Sequence, residues 1–463
     1  MRRIFTCNLD HGMDSKPRHS KTKIKPVSWR AKLIALACAA LSMGDLAVAA
    51  DAPAPPIPFR NAIQMALEHS GVMGIAAINQ WRAQQAYKEV RANYIPQLSI
   101  GSALGYSYGF PLTLEGSAPS VANFNAVESF YNPALKQFVK AARIDWKATS
   151  FDVRNKRDAV ILDTALSYAQ LAQLTGKVAA LTEAQTAAEK AQFVSRQRLQ
   201  EGVDSKLDVT RSELVAARIH LRIAEAEGQA DVLREHLSHL LGLPANSIAA
   251  DPQSVPQMPT VSQDDDMAAR AVANSPEVKL AEQKVAAAQA RATGEHKAAY
   301  MPTLDLASQY AYLAKFNNYD LYYLNYQANN FSGGINLRIP VFNAVQKAKA
   351  QEADADAMTA KKQADLTANR VREDTLKLQR SLRQLSAACD VAKLEWEVSQ
   401  GDLEGVQSRL QTGQANVRDQ QNAELDADDK HAAYLDAEYE LSRAELQLLR
   451  LTGELENWAI PTP

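Results

Sequence analysis

Tyr94-Ile95-Pro96-Gln97-Leu98-Ser99-Ile100-Gly101-Ser102-Ala103-Leu104-Gly105-Tyr106-Ser107-Tyr108 is written with a period of two. Past Pro96 the even positions are Leu98, Ile100, Ser102, Leu104, Tyr106 and Tyr108, and the odd ones are small. That alternation predicts a strand with one apolar face. The entry returns as Tyr300-Met301-Pro302-Thr303-Leu304, followed by Leu306, Tyr310 and Tyr312 set against Asp305, Ala307, Gln309 and Ala311. A third run sets Phe331, Gly333, Ile335, Leu337, Ile339 and Val341 against Ser332, Gly334, Asn336 and Arg338. A fourth window, about 123–131, is only weakly patterned.

A soluble sheet with one buried face gives the same alternation. Three features favour lipid. Each run has the ~9–11 residues that a tilted strand needs to cross the hydrocarbon layer. Eleven of the 15 tyrosines fall in 94–131 and 300–326, around the strand windows, as in an interfacial girdle. The opposite face is small and polar, as a water-filled lumen requires. Leu98, Ile100, Leu104, Leu304, Leu306, Ile335, Leu337 and Ile339 are therefore the lipid-facing positions. Four strands cannot close a barrel, since small closed barrels use about eight. An open edge in lipid leaves backbone groups unpaired at several kcal/mol each. The barrel must be shared between chains.

The strand entries belong to an internal duplication. Arg198-Leu199-Gln200-Glu201-Gly202 returns 211 residues later as Arg409-Leu410-Gln411-Thr412-Gly413. Asp208 and Asp419 keep that offset, as do Leu240-Leu241-Gly242 and Leu451-Thr452-Gly453. The expected organisation is a first repeat over 59–242 and a second over 266–454. In the first, strands fall at about 97–131 and a helical hairpin at about 134–242. In the second they fall at about 303–342 and about 344–453. A Pro- and Asp-rich linker (243–265) separates the repeats, an extended lead-in (51–58) precedes them, and a tail (455–463) follows. Each repeat opens with a helix, about 59–92 and 266–298, before its Tyr-x-Pro break.

From 344 to 410 there is no proline, and glycine occurs only at Gly401 and Gly405. A helix of that length reaches about 100 Å. Val371, Leu378, Leu385, Ala392, Ser399 and Val406 form one heptad row, and Thr375, Leu382, Cys389, Trp396, Leu403 and Leu410 the other. Together they make a coiled-coil seam. The returning helix carries two rows, Leu425, Ala432, Tyr439, Leu446 and Ala427, Tyr434, Leu441, Leu448. That broad face suits a stave with neighbours on both sides.

The first 50 residues read as an export signal: Arg2, Arg3, Lys16, Arg18 and further cations, then an apolar stretch over 33–41, then Ala47-Val48-Ala49. Translation starting at Met13 and lipidation of Cys38 are alternatives. Past the signal Cys389 is the remaining cysteine, so no intramolecular disulfide is expected. The formal net charge is −2, and no basic stripe with interleaved aromatics points to nucleic acid. No run approaches the ~20 apolar residues of a membrane helix. His236-Leu237-Ser238-His239 lacks the spacing and glutamate of a zinc hydrolase. No catalytic residue, metal or cofactor is expected.

In this order the features resemble the TolC-like outer-membrane efflux protein family. The resemblance rests on the duplicated Tyr-x-Pro-x-Leu entries, the exit Pro340-Val341-Phe342-Asn343, and the tips Arg198–Val209 and Arg409–Asp419. It implies a mainly helical chain with membrane strands. Three copies would form one twelve-stranded barrel continuing into a periplasmic coiled-coil tunnel. It implies an outer-membrane location, the helices in the periplasm, and passive exit of substrates delivered by an inner-membrane pump through a periplasmic adaptor. The tips Leu199, Gly202, Val203, Ser205, Asp208, Leu410, Gly413 and Asn416 would meet the adaptor. Asp419 and Asn422 would stand at the pore constriction, although Asn422, Ala415 and Leu410 depart from the family's acidic and polar lock positions. Gly202 and Gly413 suit a tight turn, and Asp208 and Asp419 suit a helix N-terminus. The alternative is an exported structural or adhesive coiled coil. A periplasmic adaptor is disfavoured by the duplicated strand windows.

Overall fold

The computed structural model describes residues 56–102, 120–257, 266–313 and 327–460. The signal segment, Leu104, Tyr106 and Tyr108, the Asp264-Asp265-Asp266 run up to Asp265, and the last three residues lie outside them.

Two repeats of one plan follow each other. The first contains α1 (Phe59–His69), α2 (Gly71–Ala92), β1 (Gln97–Gly101), β2 (Ser120–Tyr131), α3 (Pro133–Gln200) and α4 (Lys206–Leu241). The second contains α5 (Met267–Asn274), α6 (Pro276–Tyr300), β3 (Thr303–Leu313), β4 (Asn329–Arg338), α7 (Ala344–Gln411) and α8 (Val417–Thr452), with α9 (Leu455–Ala459) after it. The long helices α3 and α7 have 68 residues each, and the returning helices α4 and α8 have 36 each. Asn132 and Asn343 cap α3 and α7 by accepting from Leu135 N (2.9 Å) and Gln346 N (3.0 Å). Gly242 and Gly453 end α4 and α8 in left-handed conformation, φ 71° and 76°.

The expected single helices at 59–92 and 266–298 are each two. Ser70 takes extended backbone and Ser275 leaves the helical region (φ −55°, ψ 121°), and each caps a new helix, accepting from Val72 N and Val278 N. Pro276 at the first helical position reinforces the second break. A serine within an otherwise helical pattern gave no sign that it was used as a cap.

The four strands form one antiparallel sheet in the order β1-β2-β3-β4. β2 and β3 pair across the two repeats, although the α3–α4 hairpin separates them in sequence. The weakly patterned window is the twelve-residue β2, the longest described strand. β4 stops at Arg338, so Ile339 and Val341 lie past the ladder. Pro340 has no N–H to extend it.

All twelve positions of the α7 seam, and all eight on α8, are buried or half-buried. Cys389 is half-buried there, and burial raises its thiol pKa. Where the repeats join, the chain makes its largest core. Phe59, Ile63, Ile161, Tyr168, Leu237, Leu241, Leu446 and Leu455 are buried together. Phe59 stands edge-on to Tyr168 and Trp458, at 5.5 and 5.4 Å between ring centres. The Tyr168 hydroxyl donates to Ile57 O (2.6 Å) and accepts from Asp251 N (2.7 Å). Thus 243–257, expected as a linker, is strapped to the core by two short 3-10 turns. The expected tail begins as α9, with Leu455 and Ala459 fully buried.

Candidate functional site

The two hairpin tips repeat bond for bond. Gly202 N donates to Leu199 O at 3.1 Å and Gly413 N to Leu410 O at 3.1 Å. Val203 N and Gln414 N reach back to Arg198 O and Arg409 O, both at 2.8 Å. Left-handed φ values of 78° at Gly202 and 74° at Gly413 permit this turn. The next helix opens on a capping box in each case. Asp208 N donates to Ser205 Oγ (3.3 Å) while Ser205 N and Oγ donate to Asp208 Oδ2 (3.2 and 2.6 Å). Asp419 N donates to Asn416 Oδ1 (2.9 Å) and Asn416 N to Asp419 Oδ2 (3.2 Å). The hydrogen bonds from Ser205 hold the Asp208 carboxyl below its usual range. Both acids therefore have a capping role built into the single chain.

The tips differ in dress. Val203 and Leu207 project into solvent from the first, where Arg198 Nε also grips Asp204 at 3.1 Å. At the second, Arg409 Nε turns to Gly405 O instead. Leu199 and Leu410 are half-buried; Gly202, Ser205, Gly413, Asn416, Asp419 and Asn422 are exposed.

The sheet register gathers most of the large apolar side chains on one face of the four strands. Ile100, Phe124, Tyr310 and Phe331 form one cross-strand row. The next row, on the opposite face, is Ser99, Asn125, Gln309 and Ser332. Leu98, Ile100, Leu304, Leu306, Ile335 and Leu337 share the apolar face, and Leu98, Ile335 and Leu337 are 60–79% exposed there. Glu128, opposite Leu306, is the acid on this face among the described residues, close to the helix junction. The polar face collects Gln97, Asn123, Asp305, Asn330 and Asn336.

Contacts between the two hairpins were not legible as sequence motifs. Arg222 on α4 pairs with Asp429 on α8 at 2.5 Å. Tyr439 donates to Gln170 Oε1 at 3.3 Å and Gln173 to Asp436 at 3.4 Å. Inside the second hairpin Trp396 stacks on His431 and Tyr434, with ring centres 4.5 and 5.6 Å away. His236 pairs with Asp163 (3.1 Å) and His239 with Glu235 (3.3 Å) at the surface. Among the described residues no group of three His, Cys, Asp or Glu could hold a metal, and no helix is long and apolar enough to cross a membrane.

The model of the outer membrane efflux protein family matches residues 62–243 and 268–454, one match per repeat. The chain belongs to the outer membrane efflux protein family. Among curated proteins none matches it by sequence. Solved structures share its fold at low identity. CusC, described through transmembrane channel formation, is 17% identical with a TM-score of 0.70, covering 88% of this chain and 95% of its own. The outer membrane protein VceC of Vibrio cholerae is 17% identical at 0.67, covering 85% and 96%. The CmeC outer membrane channel of Campylobacter jejuni is 13% identical at 0.69, covering 86% of each. Family membership places this chain in outer-membrane efflux.

Proposed function

We propose that three copies of this chain form one twelve-stranded barrel in the outer membrane, continuing into a periplasmic helical tunnel. The tunnel gives passive exit to substrates delivered by an inner-membrane pump through a periplasmic adaptor. The observation that carries this reading is the sheet: four antiparallel strands, an apolar face of exposed side chains, and two outer edges, β1 and β4. Unpaired ladder groups are not tolerated in hydrocarbon, so β4 of one copy pairs with β1 of the next.

The duplication supports the same ring independently. Within one chain β3 pairs with β2, α6 packs on α3, and α8 packs on α3. Exchanging first-repeat for second-repeat elements turns these contacts into β4 on β1, α2 on α7, and α4 on α7 between copies. The surfaces required carry exposed apolar side chains: Val72, Ile75, Ile78 and Trp81 on α2; Leu207, Leu214 and Leu221 at heptad spacing on α4; and Val391, Leu394 and Val398 on α7.

In this assembly Leu98, Ile100, Leu304, Leu306, Ile335 and Leu337 face lipid, and the polar rows line the lumen. The tips, with Leu199, Gly202, Val203, Ser205, Asp208, Leu410, Gly413 and Asn416, meet the adaptor. Asp419 and Asn422, exposed on the second hairpin, are the constriction residues. The test is purification in detergent. Unheated, the protein is expected to run near three times its subunit mass and to conduct ions in planar bilayers. A compact, solitary subunit stable in buffer without detergent overturns the reading.

A further inference from the structure

The duplication supplies an internal control for one pair of carboxylates. In the first hairpin Glu213 on α4 is held by Arg196 on α3 at 2.7 Å. The equivalent of Glu213 in the second hairpin is Glu424, and the equivalent of Arg196 is Gln407. Glu424 has kept its carboxyl and lost the cation. One turn further along α8 stands Asp428, where the first repeat has Ala217.

Both side chains line a groove of about 350 Å³ between the hairpins, walled by Ala184, Ala187 and Ala188 of α3 and Val215 and Ile219 of α4. Glu424 and Asp428 are half-buried in it. Glu183 of α3 also lines this groove, and Lys177 of α3, Arg222 and Glu225 of α4, and Asp429 and His431 of α8 line the adjoining cavity that Asp428 shares. Arg222 is engaged by Asp429 at 2.5 Å. Two carboxylates one turn apart thus lie against alanine and valine, and the guanidinium beside them is already paired.

We propose that Glu424 and Asp428 make the seam between the two hairpins a proton-responsive closure: protonation draws α8 onto the first hairpin, and ionisation loosens it. The consequence for passage rests on reading the tips as the tunnel end, since both residues lie within the first turns of α8 beyond Asn416.

The sign follows from burial. Burial raises the Glu424 carboxyl; the hydrogen bond from Gln420 opposes this and Asp428 adds to it. Burial also raises Asp428, with Arg222 and His431 opposing and Asp429 adding. Separating the hairpins returns both groups to water and to their ordinary range. The packed arrangement therefore binds protons more tightly than the separated one, so acid favours packing and rising pH favours separation.

The experiment uses the full chain in lipid nanodiscs, with Cys389→Ala as background and spin labels at Lys190→Cys on α3 and Ala433→Cys on α8, both exposed. The inter-label distance, measured by double electron-electron resonance, is expected to shorten between about pH 8 and about pH 5. With Glu424→Gln and Asp428→Asn it stays short at both pH values. Gln407→Arg, which restores the counter-ion of the first repeat, shrinks the shift while leaving both carboxyls in place. An unchanged distance in the parent, or a full shift in the amide variant, overturns the proposal. Absence of ion conductance at every pH sinks the channel reading instead, and leaves a measured distance shift standing.

Discussion

Gly202 and Gly413, 211 residues apart, hold the same left-handed backbone, and a Cβ built on either meets nothing within 4 Å. Both are required by conformation rather than by crowding. A substitution there costs the left-handed strain alone, about 1–2 kcal/mol. A helical hairpin of this length tolerates that, so Gly202→Glu and Gly413→Glu are expected to leave the trimer in the membrane on unheated gels. Export, followed as cellular accumulation of a fluorescent efflux substrate, should be lost. Loss of the trimer would assign the two glycines to folding.

Copies should meet where the repeats predict. Ala432 and Ala180 line one cavity between hairpins, and Leu425 and Ala187 line another. Their equivalents at the 211-residue offset are Leu221 with Val391 and Leu214 with Val398. In a Cys389→Ala background, the double variant Leu221→Cys, Val391→Cys is expected to give disulfide-linked oligomers on non-reducing gels. Leu221→Cys paired with Val72→Cys should not, because the exchanged contacts set α2 and α4 each against α7 and not against one another.

Tyr168→Phe removes one hydroxyl and strands two partners, Ile57 O and Asp251 N, in the core around Phe59. Leaving buried groups unmatched costs about 1–3 kcal/mol. The expected result is a melting temperature lower by a few degrees, with proteolysis accelerated in the strap over 243–257. An unchanged melting curve would show that water replaces the hydroxyl.

Asp158 is 6% exposed at the junction of α3 with α8 and α9. Burial, then the Glu456 charge, pushes its carboxyl up to about 6, against the pull of Arg450, Arg154 and Arg157. A carboxyl raised on folding binds its proton more tightly in the native state, so it lowers stability at neutral pH and releases that penalty as pH falls from above 6 toward 4. Asp158→Asn is expected to stabilise the protein at pH 7 by on the order of 1–3 kcal/mol and to flatten this part of the profile. Denaturation midpoints measured across that range decide it.

Much of the architecture was written in the chain because both of its periodicities are long. The α7 seam from Val371 to Leu410 repeats often enough to average out single polar intruders such as Thr375 and Ser399, and all of it is buried or half-buried. The strands at β1, β3 and β4 were legible wherever large side chains alternated with small ones. β2 was only weakly so, because Val127 lies on its polar face while Ala122 and Ala126 weaken the apolar one. Its pairing with β1 and β3, rather than its own pattern, makes it a strand. The caps at Ser70 and Ser275 were hidden because serine is also tolerated inside helices. At the tips, Gly202, Gly413, Asp208 and Asp419 stood out through repetition. The links between hairpins, Arg222–Asp429 above all, did not, since a pair between residues 207 apart leaves no local spacing.

Helices α3 and α7 match residue for residue in length, as do α4 and α8. That equality ties the two halves of the gene to one another. A heptad added to one long helix and its returning partner would push that tip about 10 Å beyond its counterpart, leaving a crenellated rim in place of a level one. Changes in the reach of the hairpins must therefore arrive in matched quartets, one for each long helix and each return.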